Sequence, residues 1–195
     1  MNIDIKTAGI SNFTRGREGD QVEHVIIKPF FASKDESFVN TTAIMQKMMQ
    51  RPEIKTSYHY GIDMFNNVGQ FVDEGDTAWS TGLSKYNRTS VSILVWDGYH
   101  KRFAKNRLHI PADEIQKGLK VERIDKAVLE TLIDLCVLVC NNQHLEASAI
   151  KSVSEINHET VQKLYSIEGF PWFNLDLKLD YIRESVDKRL LWKYE

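Results

Sequence analysis

Hydrophobic and polar positions along the chain predict several buried strands. VEHVIIKPFF and SVSILVWD are rich in β-branched residues, and they predict core strands over residues 22–28 and 90–97. Between them, SYHYGID and GQFVDE alternate on either side of Asn66 and Asn67. Asparagine tolerates the left-handed backbone of a tight turn, so this stretch predicts a β-hairpin.

Three other segments have the apolar spacing of helices. The first covers residues 38–50 and ends before Pro52, the second covers 121–142, and the third begins at Asn174 and closes the chain. In the last two, the residues expected to face the core are Ile124, Val128, Leu132, Leu135 and Val139, then Leu179, Ile182 and Val186. This order of elements predicts an α/β fold, with a mixed central sheet flanked by helices.

Composition limits the organisation and the partners of the chain. Its 195 residues, 42% of them hydrophobic, suffice for one sizeable core, so we interpret residues 1–195 as a single domain with an N-terminal lead over residues 1–21. The formal net charge of −2 gives no general attraction to nucleic acid or to an anionic membrane. No segment has the apolar length of a signal peptide or of a membrane span. We expect synthesis in a cytoplasm.

The chain also contains a pair of cysteines and a short basic stretch. Cys136 and Cys140 lie four residues apart on one face of the predicted 121–142 helix, and their apolar neighbours indicate buried, reduced thiols. Residues 101–107 carry four basic side chains. This stretch is either a solvated loop or a loop that contacts an anionic ligand over a groove.

Five segments, taken in order, resemble a known family. They are VIIK, SYHYGID, VDEGDTAWSTG, TSVSILVWD and NHETVQKLYSIEGFPWF, spread over residues 22–183. They resemble the zinc-dependent N-acetylmuramoyl-L-alanine amidases of the phage endolysin and peptidoglycan-recognition type. Those proteins typically read HY-x-I-D, then a hairpin, then AWH-x-G, and later a histidine followed by D-P-G-P-x-F. The resemblance implies an amidase fold with a cleft above the sheet for glycan and stem peptide.

The resemblance also implies a particular chemistry. Such enzymes hold zinc with three protein ligands and leave a fourth position for the water that attacks the amide. In the family, the ligands are a histidine that ends the first core strand, a histidine before the last loop, and an aspartate or cysteine in that loop. A tyrosine at the start of the hairpin and a lysine or glutamate near the third ligand assist the reaction.

At the zinc ligands, this chain departs from the family pattern. Lys28 stands at the first position, His158 at the second and Glu168 at the third, although an alignment on the proline alone would place Phe170 there. Lysine is not a usual zinc ligand, and His24, four residues earlier, lies about 13 Å away along a strand at about 3.3 Å per residue. The resemblance therefore implies a degenerate metal site. Our hypothesis is that Lys28 and Glu168 fill it as an ion pair.

Other site positions are partly retained. Tyr58 stands at the position of the assisting tyrosine, where its role is either vestigial or active. Ser166 stands at the position of the assisting lysine. Ser80 replaces the histidine of AWH-x-G. The candidate lining of the cleft offers aromatic faces to sugar rings, and hydroxyls and amides to the peptide. Its members are Tyr58, Trp79, Ser80, Thr81, Asn87 and Trp172. For the two tryptophans, the alternative is packing in the core or at its rim.

These observations leave three functions open. The first is a non-catalytic, amidase-like domain of phage or bacterial origin that recognises peptidoglycan or a muropeptide at the cell wall and needs no cofactor. The second is a working amidase with an altered site, which would need zinc. The third is a virion or assembly protein that reuses the fold for contacts with other phage or bacterial proteins. None of the three involves nucleic acid or a membrane span.

Overall fold

A six-stranded mixed sheet lies at the centre of the protein. The computed structural model describes residues 1–32, 42–99, 124–156 and 174–191. The strands in these ranges are β1 (Ile3–Ile5), β2 (Phe13–Thr14), β3 (His24–Ala32), β4 (Tyr60–Ile62), β5 (Val68–Gln70), β6 (Thr77–Ala78), β7 (Ser90–Tyr99) and β8 (Ile150–Ser152). The helices are α1 (Thr42–Gln50), α2 (Ser84–Arg88), α3 (Lys126–Gln143), α4 (Val153–Ile156) and α5 (Asn174–Asp187). The predicted α/β architecture is confirmed.

The strands of this sheet follow the order β1-β5-β4-β7-β3-β8. β3 and β7 form a long parallel pair in which His24 lies beside Ser90. All other pairs are also parallel except β4 with β5, which are antiparallel. In the turn between these two, Asn66 has a φ of 65°. The predicted hairpin is therefore confirmed, and the residue with left-handed backbone, Asn66, is one of the two predicted turn asparagines.

Helices α3 and α5 pack on one face of the sheet. The predicted inward positions are all buried there: Ile124, Val128, Leu132, Leu135, Val139, Leu179, Ile182 and Val186. Cys136 and Cys140 are buried in the same core as free thiols, as predicted, and burial raises the pKa of both. In the described ranges, no helix combines the length and the apolar character that crossing a membrane requires.

A smaller core lies on the opposite face, beneath α1. Its buried apolar side chains are Ala8, Met45, Met49, Tyr58, Phe71, Val72, Ala78 and Leu94. Gly61 of β4 lies directly under this layer. A Cβ atom at Gly61 would come within 2.7 Å of both the Met45 sulfur and the Phe71 ring, so the missing side chain allows α1 to approach the sheet closely.

Some predicted boundaries are wrong. β3 begins at His24 and continues through Pro29 to Ala32, and β7 continues to Tyr99. A proline cannot donate to a strand ladder, but β8 pairs only with residues 25–27 of β3, so Pro29 lies beyond that ladder. The three predicted helices are α1, α3 and α5. Residues 38–41 and 121–123 of the predictions lie outside the described residues.

The structure of the N-terminal lead was not predicted. β1 pairs with β5 at an edge of the large sheet, and β2 pairs with β6. Between them, the fully buried Asn12 donates its side-chain amide to the carbonyls of Met49 and Arg51, at 2.7 and 2.8 Å, where α1 ends. Strands of two or three residues, including β8, show too few residues for a period to be recognised.

Asp63 connects the hairpin turn to α1. Its carboxylate is fully buried. One oxygen accepts from the backbone N–H groups of Phe65 and Asn67, at 2.9 and 3.0 Å, and the other accepts from the N–H of Thr42 at 3.0 Å. Because these donors satisfy the buried carboxylate, the aspartate of SYHYGID has a structural role.

Replacing Asp63 with alanine should lower the free energy of unfolding by about 3 kcal/mol, because several backbone N–H groups lose their acceptor. Urea unfolding followed by circular dichroism measures the change. The control is Asp180→Ala, whose side chain is 93% exposed and should cost less than about 0.5 kcal/mol. Equal effects of the two substitutions would contradict the role of Asp63.

Candidate functional site

Three of the predicted site residues come together on the α1 side of the sheet. Lys28 alternates with the buried Ile27 of β3, so its side chain points away from α3. The Lys28 Nζ lies 5.5 Å from the centroid of the Tyr58 ring, within the range of a cation–π contact. The same Nζ lies 3.3 Å from the carbonyl oxygen of Ser80. The ammonium group therefore lies between an aromatic face and a carbonyl acceptor.

Two short segments hold Tyr58 and Ser80 next to each other. The Ser57 Oγ accepts a hydrogen bond from the backbone N–H of Trp79 at 2.9 Å. The carbonyl of Trp79 in turn accepts from the N–H of Ser57 at 3.2 Å and from the hydroxyl of Thr56 at 3.1 Å. These bonds join the chain before the hairpin to the chain after β6, and they fix the spacing around Lys28.

Asn87 fixes the loop that carries Ser80 and Thr81. Its Oδ1 accepts from the N–H of Ser80 at 3.2 Å, and from the N–H and the hydroxyl of Thr81 at 2.9 and 2.8 Å. Ser80 and Thr81 are each 4% exposed, so they present little surface to a ligand. The buried Ser80 Oγ has no hydrogen-bond partner among the described residues.

Trp79 and Asn87 line a pocket on the outer side of this loop. The pocket has a volume of about 370 Å³. Its other lining residues are Thr14, Glu18, Lys55, Thr77, Gly82, Ser84 and Arg88. Because side chains alternate along the extended chain after β6, Trp79 faces this pocket and Ser80 faces inward. The described residues of the predicted lining therefore form two groups: Trp79 and Asn87 line this pocket, whereas Tyr58 and Ser80 lie near Lys28.

The remaining predicted site residues lie outside the described residues. They are His158, Ser166, Glu168 and Trp172, together with the basic residues 101–107. Their roles stay predictions, as does the ion pair between Lys28 and Glu168.

Of the three positions that the resemblance assigns to zinc ligands, only Lys28 lies among the described residues. Zinc in a catalytic site needs three histidine, cysteine or carboxylate ligands. Within residues 1–32, 42–99, 124–156 and 174–191, no group of three such side chains is placed to hold a metal. At the position that the resemblance matches to the first ligand, Lys28 as an ammonium group offers hydrogen-bond donors and no lone pair, and it repels a cation.

A buried histidine that the sequence analysis did not single out lies directly after Tyr58. His59 is fully buried, and its Nδ1 accepts from the backbone N–H of Ser92 at 2.9 Å. Its Nε2 lies 3.1 Å from the carbonyl oxygen of Asp76 and 3.0 Å from the guanidinium of Arg17. With Nδ1 accepting, the ring proton lies on Nε2 and is donated to the Asp76 carbonyl.

Arg17 extends from the N-terminal lead to this histidine. Its guanidinium donates to the carbonyls of Glu74 at 2.7 Å, Arg88 at 2.6 Å and Ser90 at 3.0 Å. Burial, together with this neighbouring positive charge, lowers the pKa of His59 to about 3. His59 is therefore neutral near pH 7 and acts as a structural link. His59 is the histidine of the HY-x-I-D pattern, whereas no sequence motif marks Arg17, whose contacts join distant segments.

Comparison with known proteins assigns the chain to a family. The sequence pattern of N-acetylmuramoyl-L-alanine amidase matches residues 18–164, about three quarters of the chain. The chain belongs to this amidase family. The matched range includes Lys28, Tyr58, Ser80 and Asn87. A comparison with curated protein sequences finds no match.

Solved structures related to the amidase family have the same fold. The Staphylococcus aureus hydrolase AmiA, solved in complex with its ligand, is 10% identical with a TM-score of 0.63, covering 99% of this chain and 85% of that one. A mutant endolysin from Bacillus subtilis is 12% identical with a TM-score of 0.61, covering 95% and 99%. Drosophila peptidoglycan recognition protein SD is 14% identical with a TM-score of 0.53, covering 80% and 85%. The resemblance inferred from the five segments is confirmed for family and fold.

In this amidase-family chain, His59 should make stability depend on pH. Its folded-state pKa of about 3 lies below the ordinary value of 6.5, so the unfolded chain takes up the proton first. The stability that neutral His59 confers is complete above pH 6.5 and is lost as the pH falls toward 3, by up to about 1.4 kcal/mol per pH unit. Urea unfolding at several pH values between about 4.5 and 7.5 measures this slope.

His59→Gln provides the comparison, because glutamine does not titrate and leaves the other groups of the chain in place. The variant should be less stable than the wild type near pH 7 and should lose less stability on acidification. Parallel pH profiles for the two proteins would show that His59 does not cause the slope.

Proposed function

We propose that this amidase-family chain recognises peptidoglycan without a catalytic zinc ion. The observation that carries the proposal is the position of Lys28. The resemblance matches Lys28 to the first zinc ligand, and its ammonium group lies 5.5 Å from the centre of the Tyr58 ring and 3.3 Å from the Ser80 carbonyl. In this proposal, the fold keeps its cleft and has lost the hydrolytic reaction.

A fixed ammonium group can supply the positive charge of a metal without its chemistry. It does not coordinate a water molecule and lower the pKa of that water, which is the contribution of zinc to amide hydrolysis. Lys28 lies in β3, whose pairing with β7 fixes the backbone beneath it. We propose that Glu168 pairs with Lys28 and that His158 remains without a metal.

The proposed partner is peptidoglycan or a muropeptide. Two similar structures support this choice, since one is a hydrolase solved with its ligand and another is a peptidoglycan recognition protein. The partly exposed Trp79 and the polar groups around it are typical of a small-molecule or saccharide site. Phage or bacterial origin and action at the cell wall belong to the same proposal.

Zinc content tests the metal-free part of the proposal. After purification with added zinc and dialysis of the loosely bound fraction, elemental analysis should find close to zero zinc per chain. EDTA should leave the melting temperature unchanged, since a tightly bound metal would stabilise the folded state by mass action. About one zinc per chain would contradict the proposal and favour an active amidase with an altered site, and hydrolysis of muropeptides would then be measured.

Co-sedimentation with purified peptidoglycan sacculi tests the recognition part. The folded protein should sediment with sacculi in the presence of EDTA, and it should remain in solution with cellulose particles of equal mass. If it stays in solution in both cases, wall recognition is wrong. A role in a virion or another assembly would then be favoured.

Lys28→Met tests whether the ammonium group stabilises the site. Methionine keeps much of the length of the side chain and removes the charge, so the cation–π contact and the bond to Ser80 are lost. The free energy of unfolding should fall by about 1 kcal/mol or more. Lys85→Met, at an exposed position of α2, is the matched control and should have little effect. A fully stable Lys28→Met variant would count against the proposed role.

A further inference from the structure

We propose that the outer edge of β1 is an interface for a second copy of this chain. In this interface, two β1 strands pair antiparallel around Ile5, and the two six-stranded sheets become continuous across a two-fold axis. Three observations support the pairing. They are the open backbone groups of the edge, an exposed isoleucine among them, and the alternation of charge along the strand.

Two residues of β1 turn their backbone hydrogen-bonding groups away from the sheet. On its inner side, β1 pairs with β5, and the N–H of Lys6 donates to the carbonyl of Gln70 at 2.7 Å. Alternate residues of a strand point these groups to the same side, so those of Asp4 also face β5, whereas those of Ile3 and Ile5 face outward. Among the residues that the structure describes, no strand lies beyond β1, and no group is bonded to the outward N–H and C=O groups.

The opposite edge of the same sheet is closed. The carbonyl of Ile150 in β8 accepts from the Arg183 guanidinium at 2.9 and 2.7 Å, and the N–H of Ser152 donates to the Glu155 carboxylate at 3.2 Å. Side chains from α5 and α4 thus occupy backbone groups that a further strand would need. In the described part of the chain, β1 has no such cover, so it is the edge at which the sheet can be extended.

An exposed isoleucine lies in the middle of the pairing stretch. Ile5 is 85% exposed, whereas Ile3, on the same face of the sheet, packs against the core beneath α3 and α5. Antiparallel pairing centred on Ile5 places the two copies of this side chain next to each other at the two-fold axis. Both copies lose water-accessible apolar surface, and each Ile5 N–H donates to the carbonyl of its counterpart.

The charges along β1 select this register. Asp4 and Lys6 lie on the other face of the strand, one on each side of Ile5, and the Lys6 Nζ lies 3.5 Å from the Asp4 carboxylate. When Ile5 pairs with its own copy, each Asp4 stands opposite the partner's Lys6, which gives two pairs of opposite charge. A register centred on Asp4 would instead bring two carboxylates face to face. Charge complementarity therefore favours an identical chain as the partner.

The interface ends where β1 turns toward α1. In the proposed register, Ile3 faces Thr7 of the partner. The Thr7 carbonyl already accepts from the side chains of Gln46 and Gln50, both at 3.3 Å. These bonds are long and their donors are surface side chains, so the pairing displaces them at little cost. The interface is nevertheless short, which predicts a dimer of modest affinity.

The pairing leaves the group around Lys28 untouched. Lys28 lies in β3, four strands from β1 in the sheet, or about 19 Å at about 4.8 Å per strand. A dimer therefore presents two copies of this group. If the proposed recognition of peptidoglycan is correct, the dimer binds the polymer at two points and dissociates from it more slowly. The interface itself follows from β1 alone and does not rest on that function.

Sedimentation velocity of the full chain over a range of concentrations tests the interface. The wild type should dimerise with a dissociation constant of about 100 μM or tighter. Asp4→Lys places like charges opposite each other and should weaken the dimer about tenfold. Adding Lys6→Asp to Asp4→Lys restores opposite charges, so the affinity should return to within about threefold of the wild type. Asp180→Lys makes the same change of charge at a 93% exposed position of α5 and should dimerise like the wild type.

Circular dichroism establishes whether each variant is folded. If a charge variant is unfolded, Ile5→Lys takes its place, because this side chain is exposed; it should weaken the dimer about tenfold. Leu191→Lys, at a 68% exposed position, is its control. A wild type that stays monomeric at about 1 mM overturns the inference. Wild-type affinity in folded Asp4→Lys, or in folded Ile5→Lys, also overturns it, and so does a folded double charge variant that remains monomeric.

The two proposals fail in different ways, because dimerisation is measured without wall material. Co-sedimentation of a strictly monomeric wild type with sacculi would overturn the interface and leave peptidoglycan recognition in place. A dimer that stays in solution with sacculi would support the interface and overturn the cell-wall role.

Discussion

The parallel pairing of β3 with β7 determines what each face of the sheet presents. Because the strands are in register, paired residues point to the same face. Val25 and Ile27 pack in the core beneath α3 and α5, whereas Lys28 and its partner Leu94 lie on the α1 side. A slip of one residue would exchange the two sets and bury the ammonium group in the helical core. Strand pairing therefore determines the face of the sheet on which Lys28 lies. The contacts of its side chain with Tyr58 and Ser80 then fix where the ammonium group lies on that face.

Long periodic segments could be predicted from the sequence. The 121–142 pattern correctly predicts that Val128 and Leu132 of α3 face the protein core. The asparagine pair correctly marks the turn between β4 and β5. Short strands and extensions could not be predicted, because they depend on partners distant in the chain. β3 passes through Pro29 since its pairing with β8 ends at Ile27, a fact that no local pattern contains.

For the candidate site, the motifs indicated residue types and the fold supplied their arrangement. The resemblance pointed to Lys28, Tyr58 and Ser80, which lie together in the structure. The HY-x-I-D pattern includes His59 but does not indicate its role, and nothing indicated Arg17, whose contact with His59 joins positions 42 residues apart. Backbone carbonyls between residues 74 and 90 accept from both Arg17 and Lys28. The conformation of this loop region thus depends on basic side chains that come from the lead and from β3.

The reach of Arg17 also has a consequence for the order of folding during synthesis. Arg17 and its acceptor Ser90 are 73 residues apart. At translation rates of about 5–20 residues per second, the lead leaves the ribosome roughly 4–15 s before this partner. β5 and the Glu74 carbonyl are made earlier than Ser90, so β1 can pair before Arg17 has all of its acceptors. The N-terminal lead is therefore made before the sheet that it joins, and the contacts of Arg17 are complete only when the nascent chain reaches β7.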